Sequence, residues 1–286
     1  GGGASFQFGG GGGGGFPGGG GGGRRQVQEL FPKDNEAGVA KLGKSKFPNE
    51  KSKHLWLIVF YANDDVESAE AQPIIHKLAS GVKNAGGYYK VGALDCAKNE
   101  REMAFCDSQN VDVDDLPAFG MVVHGKTTLF EERPTSKALH QFALDLMPND
   151  LVINVNHPTQ IDERLLDPVA KTDAKVGAVL LLTDKYDTSP VYSGLAYQYR
   201  SQLIFGESRA QNLNMAKALG VKKYPLLLVF VPKGTGDEAY SNQFDMIRYT
   251  DKVKSDAVSK WLDNVLNKIP PTNNETKKRR RARSEF

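Results

Sequence analysis

This chain of 286 residues contains two copies of one pattern, in which an apolar segment of strand length is followed directly by a segment of helix length. The first copy predicts a strand over 55–62 and a helix over 66–85, and the second predicts a strand over 176–182 and a helix over 189–203. In both copies the elements that follow have the same order, so two spans of about 115 residues repeat one pattern. We expect two similar α/β units, each with its own hydrophobic core.

The remaining elements complete this order in each half of the chain. In the first half we predict strand 90–96, helix 98–109, strands 118–123 and 126–131, and helix 136–146. In the second half we predict strand 203–208, helix 211–219, an apolar strand within VKKYPLLLVFVP, strand 243–249 and helix 253–266. The order predicts a parallel central pair of strands and an antiparallel edge pair in each unit.

The junction between the first strand and helix carries family-specific residues. Phe60, Tyr61 and Ala62 end the strand, and Pro73 lies further along the helix. These residues resemble the active-site segment of thioredoxin-type domains, whose first helical turn carries a Cys-x-x-Cys pair. The resemblance implies two tandem thioredoxin-like, protein disulfide isomerase-like folds.

The cysteines of that motif are missing from both halves. By the resemblance, their positions in the first half are held by Asp65 and Ser68, and the second-half turn LLTDKYDTSPVY also lacks sulfur. Disulfide exchange requires a thiolate and a second sulfur, so dithiol catalysis at these turns is excluded. The acidic residue that redox-active members bury before the Phe-Tyr pair is Val59 here. The resemblance therefore implies redox-inactive domains and predicts that the chain is not an enzyme.

A proline precedes the fourth strand of each half, in DDLPAF and in KKYPLLLVF. In thioredoxin-like proteins the corresponding X-Pro bond is cis, faces the active-site helix and exposes backbone that pairs with an extended peptide. The resemblance thus predicts peptide-binding loops at Leu116–Pro117 and Tyr224–Pro225. Together with Asp65 and Ser68, the first of these loops is expected to form an exposed binding surface.

The chain has two cysteines, Cys96 and Cys106. Two are too few for a disulfide framework, and their spacing fits neither a redox motif nor a structural zinc site. They resemble the non-catalytic pair of disulfide isomerase domains, which implies a bridge that stabilises by about 2–3 kcal/mol and an oxidising compartment. The alternative is two half-buried free thiols. No cofactor or metal is predicted, because no histidine has a ligand partner at helical spacing.

The two ends of the chain differ in composition from the rest. Residues 1–23 hold 16 of the 30 glycines, so segment 1–24 is expected to be a disordered Gly/Phe-rich linker. Segment 270–286 is expected to be a disordered basic tail, whose KKRRRAR run is either a nuclear localisation patch or a solvated terminus. Asn274 begins a glycosylation sequon. Without this tail the net charge of +3 becomes −1, which argues against a nucleic-acid partner.

The Gly/Phe linker resembles the one that follows the J domain in DnaJ-type co-chaperones. We predict thioredoxin-like domains over 25–149 and 150–269, belonging to the C-terminal part of an endoplasmic reticulum J-domain protein. Because the chain begins at Gly1 and not at Met, we expect a fragment that lacks a signal peptide and a J domain. No apolar run approaches the length of a membrane span.

The resemblance implies a redox-inactive module of a folding co-chaperone in the lumen of the endoplasmic reticulum. Its expected partners are unfolded client polypeptides and a DnaK-type ATPase chaperone that the missing J domain recruits. One alternative is a disulfide oxidoreductase or isomerase that acts through Cys96 and Cys106. Another is a non-enzymatic nuclear or cytosolic scaffold directed by the basic tail.

Overall fold

The computed structural model describes residues 29–171, 174–233, 244–251 and 253–269 and contains two five-stranded sheets. The elements of residues 40–145 form the first unit, and those of residues 152–266 form the second. In the first unit the strands are β1 (Ala40–Lys41), β2 (Trp56–Tyr61), β3 (Lys90–Asp95), β4 (Ala118–Val123) and β5 (Lys126–Leu129). The strand order is β1-β3-β2-β4-β5, with the first three strands parallel and β4 and β5 antiparallel to their neighbours.

Three helices cover the two faces of the first sheet. They are α1 (Val66–Ala85), α2 (Glu100–Asp107) and α3 (Ser136–Asp145). Alternate side chains of β2 point to opposite faces, as the pleat requires. One set, with Val59, packs with residues of α1 and α3, whereas the other, with Phe60, packs with Cys106 of α2. The first unit therefore has a separate apolar core on each face of its sheet.

The second unit repeats this arrangement. Its strands are β6 (Val152–Asn154), β7 (Gly177–Thr183), β8 (Leu203–Arg209), β9 (Leu226–Pro232) and β10 (Phe244–Tyr249), in the order β10-β9-β7-β8-β6. Its helices are α4 (Thr159–Ile161), α5 (Asp167–Lys171), α6 (Pro190–Tyr199), α7 (Leu213–Ala218) and α8 (Ser255–Leu266), with a π-helical segment at Asp162–Leu166. Helices α6 and α8 pack on one face, and the 159–171 helical region with α7 packs on the other.

The predicted fold class is confirmed, since the two sheets are those of two thioredoxin-like folds. The predicted helix 66–85 and strand 118–123 have the observed bounds, and the other predicted elements differ mainly at their ends. Sequence analysis missed β6 and the helical region 159–171. Strand β6 has only three residues, which is too short for an alternating pattern to be recognised. The predicted domain limits 25–149 and 150–269 stay predictions.

Several predicted features lie outside the described residues, namely the Gly/Phe linker, the basic tail and Asn274. Across the described part of the chain, no helix is long and apolar enough to cross a membrane. Within that same part, no group of three or more His, Cys, Asp or Glu residues could hold a metal ion.

Candidate functional site

The candidate site of the first unit lies at the edge of the sheet where β2 ends and α1 begins. Ala118 pairs with Phe60 across the antiparallel β2–β4 ladder. This register places Pro117 beside the junction between β2 and α1. The Leu116–Pro117 bond is cis.

Asp65 and Ser68, which stand at the expected cysteine positions, form the N-terminal cap of α1. A carboxylate oxygen of Asp65 accepts a hydrogen bond of 2.7 Å from the backbone N–H of Ser68. The Ser68 hydroxyl in turn accepts a bond of 3.2 Å from the N–H of Ala62. Hydrogen bonding to Ser68 lowers the pKa of Asp65, so the carboxylate stays ionised at the positive end of the helix dipole. These two side chains therefore start the helix.

The expected exposed surface is smaller than the sequence analysis predicted. Ser68 is completely buried, and Leu116 is buried in the apolar core beneath α2. Neither side chain is available to a ligand, because Ser68 is part of the helix cap and Leu116 is part of the core. The apolar group that is presented to solvent at this edge is Val66, which is 70% exposed at the first position of α1.

Tyr61 and Asp95 were missed by the sequence analysis and lie at the same edge. They are paired neighbours at the ends of β2 and β3. Burial, and then the nearby Asp64 carboxylate, raise the pKa of Asp95. Burial and the charge of Asp95 raise the pKa of Tyr61, whose buried hydroxyl has no hydrogen-bond partner among the described residues. The sequence signal for this pair was an acidic residue, Asp95, directly after the apolar residues of β3.

Cys96 and Cys106 form a disulfide, with their Cα atoms 5.9 Å apart. The bridge joins the end of β3 to α2, and both cysteines are completely buried. They pack in one core cluster with Leu116, beneath the Pro117 loop. The bridge therefore fixes α2 against the part of the sheet that supports the candidate site. Val59 is also completely buried.

The corresponding edge of the second unit has the same backbone arrangement. Leu226 pairs with Leu182, which places Pro225 beside the end of β7, and the Tyr224–Pro225 bond is cis. Pro190 occupies the first turn of α6. The Ser189 hydroxyl caps this helix by accepting a hydrogen bond from the backbone N–H of Tyr192. In the turn before α6, Tyr186 is 85% exposed.

A buried ion pair supports this second turn and was also missed. Glu207 is 1% exposed, and one of its carboxylate oxygens accepts a bond of 2.6 Å from Arg209 and another from the Thr188 hydroxyl. Arg209 also donates to the carbonyl of Lys185. The Arg209 side chain keeps 20% of its surface exposed, so the pairing mainly compensates the buried Glu207 carboxylate, whose second oxygen has no hydrogen-bond partner among the described residues. The sequence signal was the charged pair ESR within an otherwise apolar strand.

These observations can be set beside known proteins. The chain is 25% identical over 209 residues to a Dictyostelium discoideum protein provisionally named protein disulfide-isomerase. The aligned region covers 70% of this chain and 47% of that protein. The chain is 23% identical over 180 residues to the DnaJ protein ERDJ3A of Oryza sativa subsp. japonica, which is 60% of this chain and 29% of that protein. The chain is thioredoxin-like and related to protein disulfide isomerase-like and DnaJ-type proteins. This thioredoxin-like chain spans less than half the length of either relative.

No family model matches the thioredoxin-like chain. Among solved structures, a crystal structure of ERdj5 aligns over 80% of this chain and 30% of that chain, with 18% identity and a TM-score of 0.45. The first two thioredoxin domains of Naumovozyma dairenensis Eps1p align over 84% and 100% of the respective chains, with 13% identity and a TM-score of 0.34.

The prediction that the chain is not an enzyme is wrong. One relative is named as a protein disulfide-isomerase, and the thioredoxin-like chain holds an oxidised cysteine pair of its own. The prediction rested on the missing sulfur at the two helix N-termini, where Asp65 and Ser68 stand in the first unit, and it treated Cys96 and Cys106 as a non-catalytic pair. The Cys96–Cys106 disulfide lies elsewhere in the unit, between the end of β3 and α2.

Proposed function

We propose that this chain is the client-binding part of a protein-folding co-chaperone in the lumen of the endoplasmic reticulum. The observation that carries the proposal is the similarity, over 70% and 60% of the chain, to a protein disulfide-isomerase and to a DnaJ protein. The buried Cys96–Cys106 disulfide supports the compartment, because disulfides persist in oxidising environments. The DnaJ relative supports a DnaK-type ATPase as partner, recruited through a J domain of the longer protein.

The proposed client is an extended, unfolded polypeptide segment. The Leu116–Pro117 and Tyr224–Pro225 loops offer backbone for such a segment to pair with, in the manner of an added strand. The exposed apolar side chains beside the two loops are Val66 and Tyr186. An extended chain that pairs through its backbone and contacts Val66 or Tyr186 through apolar side chains fits both edges. Many sequences meet this requirement, as a folding factor needs.

The test measures binding of a fluorescein-labelled, reduced and carboxymethylated unfolded protein by fluorescence anisotropy. Replacing Val66 and Tyr186 together by Asp is expected to weaken binding about tenfold or more, because charged groups replace the apolar contacts. The matched control is Met246→Asp, which alters an apolar side chain of similar class, 44% exposed, on the distant edge strand β10. Equal affinity of the double variant and the wild type would contradict the proposed surface.

Thiol–disulfide exchange through Cys96 and Cys106 is a second function, favoured by the oxidised pair itself. An external thiolate would attack one sulfur and release the other as a thiolate, which gives a mixed disulfide. A second external thiolate would then attack the external sulfur of that mixed disulfide, which frees the protein dithiol and forms a disulfide between the two external thiols. Since both cysteines are completely buried, this attack requires α2 to separate locally from the end of β3. Glutathione-dependent insulin reduction that is abolished by Cys106→Ala would support this function. Turnover that is the same in the variant would exclude it.

A further inference from the structure

Helix α6 of the second unit is buried on two opposite faces. One face, with Tyr192, Leu195 and Tyr199, packs against the sheet of its own unit. The other face carries Val191, Gly194 and Tyr197, spaced three residues apart so that they lie in one row. We call these three residues the α6 stripe. A helix with apolar residues on both faces is stable when both faces are covered. The second unit's sheet covers one face of α6, and the first unit covers the other.

Each residue of the α6 stripe contacts the first unit. Val191 packs so closely on the end of α1 that a Cβ built on Gly86 would lie 3.2 Å from its Cγ2. At Gly194 the approach is backbone to backbone, since a Cβ there would lie 2.6 Å from the carbonyl oxygen of Tyr88. A contact of that length cannot be relieved by rotating a side chain. Gly194 is therefore required where the two units meet.

Tyr197 inserts into the first unit itself. It is 1% exposed and belongs to the core cluster of the first unit, although it is on α6. Its hydroxyl accepts a hydrogen bond of 2.9 Å from the backbone N–H of His124, in the turn between β4 and β5. The His124 ring lies 5.0 Å from the Tyr197 ring, centroid to centroid. The hydroxyl of this buried tyrosine is thus satisfied by the other unit.

Arg200, at the end of α6, also binds the first unit. Its guanidinium stacks 3.9 Å above the centre of the Tyr197 ring. It donates to the carbonyl oxygens of Glu50 at 2.8 Å and Ser52 at 2.9 Å in the first unit, and to that of Tyr197 at 2.7 Å. The planar guanidinium supplies these donors in fixed directions, which a lysine could not do. The interaction therefore joins α6 to the 50–52 loop.

The receiving surface is itself firmly packed. A Cβ built on Gly125, next to His124, would lie 2.7 Å from the backbone nitrogen of Glu50. The β4–β5 turn and the 50–52 loop thus touch each other through backbone atoms. Tyr197 and Arg200 bind to this pair of loops as one preformed surface.

We propose that the α6 stripe and Arg200 lock the two units into one rigid body, with α6 as an internal docking surface. In α1, the equivalent helix of the first unit, the outward face carries the exposed charges Glu67, Glu70 and Lys77. Helix α6 instead carries the α6 stripe, which packs on the first unit. The two client-facing edges consequently keep a fixed separation. The proposal does not depend on the proposed function, because it concerns how the units are held together.

The test measures the distance between spin labels on the full chain, at Lys77→Cys in α1 and Lys260→Cys in α8. Both positions are exposed, and the two native cysteines are already bridged, so the labels attach only at the new thiols. The wild-type arrangement is expected to give one narrow distance distribution. Gly194→Leu, which forces a side chain against Tyr88, is expected to broaden it about twofold or more, because weakly joined domains move independently.

The matched control is Gly81→Leu, in an exposed part of α1 where nothing lies within 4 Å of the built Cβ. This variant is expected to keep the narrow distribution. If Gly194→Leu does not fold, as judged by circular dichroism, Arg200→Ala decides, and it too is expected to broaden the distribution. A broad distribution in the wild-type arrangement, or a narrow one in a folded Gly194→Leu or Arg200→Ala variant, would overturn the proposal.

Discussion

Removing the Cys96–Cys106 bridge tests how much of the first unit's stability comes from the cross-link. The two cysteines are ten residues apart in the sequence. In the chain-entropy model a loop of this length restricts the unfolded chain by about 9 cal/mol/K, which is about 2.7 kcal/mol at 25 °C. Alanine is the suitable replacement, because both sites are completely buried and a serine hydroxyl would need a partner there.

We expect the Cys96→Ala, Cys106→Ala double variant to lose about 2.7 kcal/mol or slightly more, since two small cavities add to the lost cross-link. Because 1 kcal/mol moves the Tm by about 2–8 °C over this range of domain sizes, the Tm should fall by about 5 °C or more. Urea unfolding provides the free energy. The chain has two tryptophans, Trp56 on β2 and Trp261 on α8, so Trp261→Phe leaves a fluorescence signal from the first unit alone.

The wild-type chain unfolded in excess reductant is the control for this experiment. It loses the cross-link but keeps both sulfur atoms, so its deficit measures the bridge without the cavities. A loss below about 1 kcal/mol in both the reduced chain and the double variant would refute the chain-entropy argument for this loop. It would mean that the reduced, unfolded chain already holds β3 and α2 close together.

Three further outcomes are expected from urea unfolding. Asp65→Ala should lose about 1 kcal/mol at pH 7 through the lost helix cap, whereas Asp65→Asn, an equally good cap, should lose little; equal losses would refute the cap. Burial, with Lys90 and Lys53 nearby, lowers the pKa of His54 to about 4, so the unfolded chain alone takes up this proton below pH 6.5. Stability should therefore fall from pH 7 to pH 4.5, and His54→Gln should reduce that slope; an unchanged slope would contradict the assignment. Arg209→Met should lose about 3 kcal/mol by leaving the buried Glu207 carboxylate unpaired, and adding Glu207→Met should recover most of it; a double variant as unstable as the single one would exclude this cause.

The sequence by itself determined most of the elements and their order, with β6 and the helical region 159–171 as the exceptions. The continuous apolar run of β2 and the caps at Asp65 and Ser189 are local signals, readable within one turn or one strand. The prolines at 117 and 225 were located by the resemblance to thioredoxin-like domains, in which a proline precedes the fourth strand. Such features depend on neighbours in the chain, so a sequence pattern is enough to predict them.

Only the tertiary structure decided which surfaces meet. The apolar residues of α6 indicate burial, but nothing in their spacing says that Tyr197 enters the core of the other unit. Likewise, a glutamate in a strand predicts no partner, and Thr188 reaches Glu207 only because β7 and β8 lie side by side. These contacts join residues far apart in sequence, and their free energy exists only after the chain has closed the loops between them. Local periodicity therefore fixes the elements, whereas the docking of one unit on the other is a property of the folded whole.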